Sequence, residues 1–199
     1  MKLVLASANP GKLREMRAVL EPHSIDLVSQ DSLGISEAEE PHATFLENAL
    51  AKARHASRAS GLPALADDSG LCVPALAGEP GVHSAYYAGR EGSREQRDAR
   101  NNERLLKEVR NQRAAYYCCV MVMVRRPDDP RPLVAEGLWH GEIAREPRGT
   151  GGFGYDSLFF IRELNKTAAE LDAEHKNRIS HRALAAHRLV ELLHAPDQA

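Results

Sequence analysis

No stretch of this chain approaches the roughly 20 consecutive apolar residues that a membrane-spanning helix requires, and the sequence shows no internal repeat and no low-complexity linker. The opening run, Met1 to Ala6, carries one lysine and passes straight into a turn. It lacks the apolar core and cleavage site of a secretory leader, so a cytoplasmic setting and no membrane partner are expected. Cysteine is scarce as well. The three cysteines are an odd number, two of them (Cys118 and Cys119) adjacent in an apolar run, which fits neither a disulfide framework nor a zinc site and points to a reducing compartment. Charge of one sign is missing too: 26 basic residues face 28 acidic ones, for a formal net charge of -2. That balance argues against a broad basic surface for polymeric nucleic acid. A small anionic ligand accompanied by a metal ion remains compatible.

What is present is enough apolar material, 43% of 199 residues, to bury one sizeable core or two smaller ones without covalent staples. Lys2 to Ala6 reads as a buried strand, Ser7 to Gly11 as a turn, and Leu13, Met16, Val19 and Leu20 as the apolar stripe of a helix. A second strand is predicted at Ile25 to Val28. The acidic loop Ser36 to Pro41 precedes a helix begun by a capping box, Thr44 with Glu47, whose buried stripe is predicted as Leu46, Ala49, Leu50 and Ala53. Pro63 to Ala66 reads as a strand ending at an acidic turn, Asp67-Asp68-Ser69-Gly70, with extended chain resuming over Leu71 to Leu76. Glu91 to Arg113 is expected to form an exposed, charged helix. Ala115 to Val124 and Leu133 to Ile143 read as a long hairpin, which suggests a second lobe. Thr167 with Glu170 is a further capping box, and a last helix follows Ser180.

Four constellations carry chemistry. Ser7 to Lys12 delivers a Pro-Gly turn to a helix N-terminus, a place where free N–H groups and the Lys12 charge favour phosphate; the competing reading is a plain strand-to-helix turn. Asp67 and Asp68, with Glu39 or Glu40 from another loop, suit a hard cation such as Mg2+ and a water-activating carboxylate; the competing reading is a turn in which Asp and Ser cap backbone groups. Gly149 to Asp156 joins several glycines to Phe153, Tyr155 and Asp156, a set that can stack on a base and accept a donor from it; the alternative is a hairpin with its aromatics in the core. Lys176, Asn177, Arg178, Ser180, His181 and Arg182 form a basic knot at the start of the last helix. Cations there oppose the helix dipole, which makes sense against an acceptor ligand, although ordinary surface charge produces the same pattern.

Taken in order, Ser-Ala-Asn-Pro-Gly-Lys at 7 to 12, Thr-Phe-Leu-Glu-Asn-Ala at 44 to 49, Ala-Asp-Asp-Ser-Gly-Leu at 66 to 71, Gly-Thr-Gly-Gly-Phe-Gly-Tyr-Asp at 149 to 156, Lys-Thr-Ala-Ala-Glu-Leu at 166 to 171 and Ser-His-Arg at 180 to 182 resemble the inosine/xanthosine triphosphate pyrophosphatase family, the non-canonical purine nucleotide (dITP/XTP) pyrophosphatases. The resemblance implies an α/β fold with a long central mixed sheet and flanking helices. It implies a single domain over 1–199, folded as two lobes around a substrate cleft, and a homodimer. It implies hydrolysis of ITP, dITP or XTP to the monophosphate and pyrophosphate with Mg2+ as cofactor; a non-catalytic nucleotide-binding module is the alternative. By the same carry-over Ser7, Ala8, Asn9, Pro10, Gly11 and Lys12 hold the triphosphate, Asp68 is proton acceptor and metal ligand, Glu40 is a second metal contact, and Ser69 touches substrate. Phe153, Gly154, Tyr155 and Asp156 form the base pocket, completed by Lys176, His181 and Arg182 around the 6-oxo group. Donors aimed at a keto oxygen disfavour adenine, because its amino group leaves them unpaired. One departure stands out: the family often has arginine where this chain has Tyr86, and Arg90 and Arg94 are candidates to replace it.

Overall fold

Three consecutive side chains sealed from solvent, Leu3, Val4 and Leu5, make the first strand, β1 (Lys2–Leu5), a central one rather than an edge. In the computed structural model, which describes residues 1–7 and 9–195, β1 lies between two parallel neighbours. Ala8, expected in the phosphate loop, lies outside the described residues. Helix α1 (Pro10–Leu20) follows, with proline at its first position, where a missing N–H costs nothing. Then come β2 (Asp26–Ser29), α2 (Phe45–Ser60), β3 (Ala64–Cys72), α3 (Arg94–Glu108), β4 (Ala114–Val124), β5 (Leu133–Ile143), β6 (Phe159–Ile161), β7 (Lys166–Thr167), α4 (Ala173–Ile179) and α5 (His181–Leu193). The seven strands form one sheet in the order β2-β1-β3-β4-β5-β6-β7. It is mixed: β1 pairs in parallel with β2 and β3, while β6 runs antiparallel to β5 and β7. The fold is therefore the α/β arrangement with a long mixed sheet that the sequence implied.

The chain divides into two compact units, Met1–Asp68 with Cys119–Gly137 and Ser180–Ala199, and Ser69–Cys118 with Leu138–Ile179. Each has its own apolar core. In the first unit Leu3, Leu5, Leu27, Leu65, Met121 and Leu189 are among the buried residues that pack together. In the second, Leu71, Leu105, Tyr117, Trp139, Leu158 and Phe159 do so, with the Phe159 ring 4.7 Å from Tyr117 and 5.0 Å from Trp139. No helix among the described residues is long and apolar enough to cross a membrane.

Four local expectations need correction. The Asp67-Asp68-Ser69-Gly70 segment is not a turn but the middle of strand β3, whose ladder overrides the local turn preference of Asp, Ser and Gly. Beyond Cys72 the chain forms a short 3-10 turn over Pro74–Leu76 instead of staying extended. The stripe of α2 is rotated from the one predicted: Leu46 is exposed, and Asn48, Ala49, Lys52, Ala53, Ala56 and Ser57 are buried. Thr167 and Glu170 do form a reciprocal capping box, but it begins only a single 3-10 turn, which ends as Leu171 becomes extended.

Candidate active site

Successive side chains of a strand point to opposite faces, and that alternation separates the acidic pair. Asp67 and Asp68 are neighbours in β3, yet each carboxylate meets its own cations. Asp67, 1% exposed, receives Lys12 from α1 at 2.8 Å and the Arg182 guanidinium from α5 at 3.4 Å. Arg182 also pairs with Glu15, so a four-membered cluster of alternating charge, with Asp67 and Arg182 buried and Lys12 and Glu15 half-buried, lies at the starts of α1 and α5. Burial alone would raise the Asp67 carboxyl, but Lys12, Arg182 and Lys52 outweigh it and hold it far below the ordinary carboxylate range. Arg182 is likewise kept charged: burial opposes its charge, and Asp67 and Glu15 more than compensate.

Asp68 belongs to a different group. Its Oδ1 accepts from the Lys52 ammonium at 3.2 Å and its Oδ2 from the Asn48 amide at 3.2 Å, both on α2. Lys52 donates at the same time to Glu40 Oε1 at 2.6 Å. Glu40, and not Glu39, is therefore the loop carboxylate that converges with Asp68 on one cation. Asn48 fixes the loop that carries Glu40, because its amide accepts from the His42 N–H at 3.0 Å and donates to the His42 carbonyl at 3.2 Å. Burial raises the Asp68 carboxyl and nearby Glu40 adds to this, only partly offset by Lys52 and Lys12, so its net shift is upward. Burial would lower Lys52, but Asp68, Asp67 and Glu40 reverse that and raise it. Two carboxylate oxygens around one positive centre are the donor set a hard divalent cation uses, completed by phosphate oxygens and water. Among the described residues no group of three or more His, Cys, Asp or Glu is arranged to hold a metal. The residues present thus fit an ion that shares its coordination with a phosphate ligand.

The turn before α1 is less open to phosphate than its sequence suggests. Asn9 caps the helix with its own side chain, Oδ1 accepting from the Gly11 N–H at 2.9 Å and the Lys12 N–H at 3.4 Å, and Ser7 Oγ accepts from the Asn9 N–H at 3.2 Å. Pro10 has no N–H to offer. An anion here therefore meets the Lys12 ammonium and the side chains of Ser7 and Asn9 before it meets the first helical amides. Ser69, next after Asp68 in β3, is half-buried.

In the second unit, the loop Gly149 to Asp156 turns through three glycines with positive φ, Gly149 at 78°, Gly152 at 72° and Gly154 at 62°. Asp156 is buried beneath it, where its Oδ2 accepts from the Phe153 N–H at 2.9 Å and from the Lys176 ammonium at 2.7 Å. Phe153 is half-buried, with the Arg94 guanidinium 4.6 Å and the Lys176 ammonium 5.0 Å from its ring centroid. Tyr155 is a core residue instead: its ring is buried and its hydroxyl donates to the Ser84 carbonyl at 2.9 Å. Of the two aromatics, Phe153 is the less buried. Tyr86, at the position where arginine was expected, is exposed, and Arg90 stands 4.3 Å over its ring. Arg94, the other candidate replacement, is at Phe153.

The expected basic knot is divided. Lys176 is on α4 in the second unit, whereas Ser180 caps α5 and His181 and Arg182 are its first residues in the first unit. Arg182 is committed to Asp67 and Glu15, and His181 is buried. Close approach makes this possible, since a Cβ at Gly137 would collide with the His181 carbonyl and the Ala185 N–H. Sequence reasoning missed Asn48 and Lys52. The signal available was their i, i+4 spacing on the same face as Ala49, Ala53 and Ala56, where a merely solvated pair would be out of place.

The ion pairs of Asp67 have a consequence for acid stability. A carboxyl held below its unfolded value contributes stability in full above that value, about 3.9, and loses it as pH falls through the folded pKa. Thermal melts of the wild type should therefore lose stability steeply below about pH 4, and Asp67→Asn should show a shallower acid slope. Equal slopes for the two proteins would remove Asp67 from that role.

Comparison with known proteins adds an independent line. The sequence profile described as the Ham1 family matches residues 3–192. The chain is 62% identical over 194 residues to the dITP/XTP pyrophosphatase of Burkholderia pseudomallei (strain K96243), covering 96% of this chain and 93% of that protein. It is 59% identical over 194 residues to the dITP/XTP pyrophosphatase of Nitrosomonas europaea, covering 96% and 94%. Among solved structures, a HAM1 protein from Coxiella burnetii superposes with a TM-score of 0.88 at 44% identity, covering 97% of this chain and 98% of that one.

Proposed function

The chain belongs to the Ham1 family, and from that premise we propose that it hydrolyses the non-canonical purine nucleoside triphosphates dITP, XTP and ITP to the monophosphate and pyrophosphate, which clears them from the nucleotide pool. The observation that carries the reading is the division of the acidic pair across β3, with Asp68 and Glu40 converging on one cationic centre and Asp67 anchoring Lys12. A binding module has no use for a buried carboxylate whose pKa burial raises beside a second carboxylate, whereas a proton acceptor does.

In the proposed reaction Asp68 accepts a proton from water as its oxygen bonds to the α-phosphorus. The bond from that phosphorus to the bridging oxygen breaks, the oxygen keeps the electron pair, and pyrophosphate leaves. Asn48 and Lys52 fix the rotamer of Asp68 through one carboxylate oxygen each. Lys12, held at the helix start by Asp67, supplies positive charge to the departing phosphates. Mg2+ is the proposed cofactor, held by Asp68 and Glu40, and when bound it supplies charge neutralisation and Lewis-acid polarisation of the phosphate oxygens. Ser7, Asn9 and Ser69 complete the proposed phosphate contacts.

Base recognition is proposed for Phe153 by stacking and for Lys176 by hydrogen bonding to the 6-oxo group, with Asp156 holding both in place. For Arg182 the cluster with Asp67 and Glu15 supports an indirect role, through Lys12, over contact with the base. The protein is proposed to work as a homodimer of one two-lobed domain in the cytoplasm, where its three buried cysteines, none of them in a disulfide, stay reduced. Hydrolysis of XTP in 18O-labelled water tests the bond cleavage. The label is expected in the monophosphate alone, and label in pyrophosphate or orthophosphate contradicts attack at the α-phosphorus.

A further inference from the structure

Helix α3 lies in a segment whose charges, by sequence, have no task beyond facing solvent. One face of it does something else. Asp98 Oδ2 accepts from the Gly154 N–H at 2.9 Å, and one turn later the Asn102 amide donates to the Gly154 carbonyl at 2.8 Å. Both backbone groups of a single glycine are thus held by side chains at i and i+4 on one helix, a spacing that places them on the same face. The Asn102 Nδ2 group also donates to the Asp98 carbonyl at 2.7 Å. Two carbonyl acceptors on one nitrogen fix which way the amide points, because the flipped amide would set oxygen against both.

One turn earlier on the same face, Arg94 pairs with Asp98 at 3.9 Å and covers the ring of Phe153 at 4.6 Å. Gly154 itself sits at φ 62°, where side chains are rarely tolerated. The peptides on both sides of Phe153 are therefore held, the one to Gly154 from outside the loop by Asp98 of α3 and the one from Gly152 from beneath by Asp156, which takes the Phe153 N–H.

We propose that Asp98 and Asn102 are positioning residues for purine recognition: they clamp Gly154 so that Phe153 is presented in the orientation that stacks on the base, and they act on substrate affinity rather than on the chemical step. This rests on the reading of Phe153 to Asp156 as the base loop. The clamp makes an asymmetric demand on the two side chains. Position 98 must accept and position 102 must donate, so Asp98→Asn, which keeps an acceptor of the same shape, is tolerated, whereas Asn102→Asp, which sets a carboxylate against two carbonyls, is not.

The test combines kinetics on XTP and dITP with backbone amide exchange at Gly154 in the full-length protein. In Asp98→Ala and Asn102→Asp, KM is expected to rise about tenfold with kcat within about twofold, as fits the loss of one anchoring hydrogen bond. The Gly154 amide is expected to exchange faster in Asp98→Ala, and Asp98→Asn should restore both KM and protection. A purely structural role would lower melting temperature and kcat without that rescue. Should Asn102→Asp not fold, the Asp98→Ala and Asp98→Asn pair carries the comparison alone. Unchanged KM in Asp98→Ala while the wild type turns over XTP overturns the clamp, as does unchanged Gly154 exchange. A wild type inactive on both nucleotides overturns the functional reading instead, and Gly154 exchange then decides the clamp by itself.

Discussion

Replacing Asp68 by asparagine is expected to lower kcat for XTP by about a thousandfold, the scale of a lost general base, while the melting temperature stays within a few degrees of wild type. The substitution keeps the shape of the side chain and its acceptor towards Lys52, so the local structure persists. It removes the group proposed to take the proton, and with it one of the two negative charges, Asp68 and Glu40, that converge on Lys52. Because burial makes ionised Asp68 costly, the fold itself loses little when the charge goes. A variant that retains more than about a tenth of wild-type turnover would take Asp68 out of the chemical step.

Arg182→Met is expected to act in the opposite sense, on stability first. The guanidinium is buried between Asp67 and Glu15, and removing one partner from such a cluster leaves a charge uncompensated. Losses of this kind amount to about 3–5 kcal/mol. For a chain of this size each kcal/mol shifts the melting point by about 2–4 °C, so a fall of roughly 6–20 °C is expected. Arg182→Lys should fall between, since an ammonium keeps the charge but cannot reach both carboxylates with a planar fork. A melting point for Arg182→Met within about 2 °C of wild type, below the smallest drop this range allows, together with a selective rise in KM, would instead place Arg182 at the base.

The contrast between these two variants follows from β3. From residue types alone Asp67 and Asp68 read as one acidic pair; the family resemblance singled out Asp68, and the period-2 alternation of a strand is the physical reason that the two are separated. The alternation was hidden because Asp-Ser-Gly signals a turn, whereas here the segment continues strand β3, which lies between β1 and β4 in the sheet. Caps and strand-to-helix junctions were legible because their chemistry is local: Asn9, Thr44 and Ser180 accept from helix N–H groups as their types predict. Partners brought in from distant segments were not legible. Lys52 looks like a solvated helix residue until Asp68 is placed opposite it, and Asp98 and Asn102 are indistinguishable in sequence from the other charged and amide residues of α3. The glycine loop was recognisable as a special backbone, but which of its aromatics packs inward depended on Ser84 waiting for the Tyr155 hydroxyl.

Base selectivity and bond cleavage are read together in one measurement. Purified protein is incubated with dITP, XTP, ITP, GTP and ATP, each with and without Mg2+, and the products are separated. The account predicts monophosphate and pyrophosphate from the first three nucleotides only when Mg2+ is present, with turnover of ATP, whose 6-amino group leaves the buried donors unpaired, lower by at least about a hundredfold. Release of orthophosphate, equal turnover of ATP, or tight binding of XTP without any hydrolysis would contradict it.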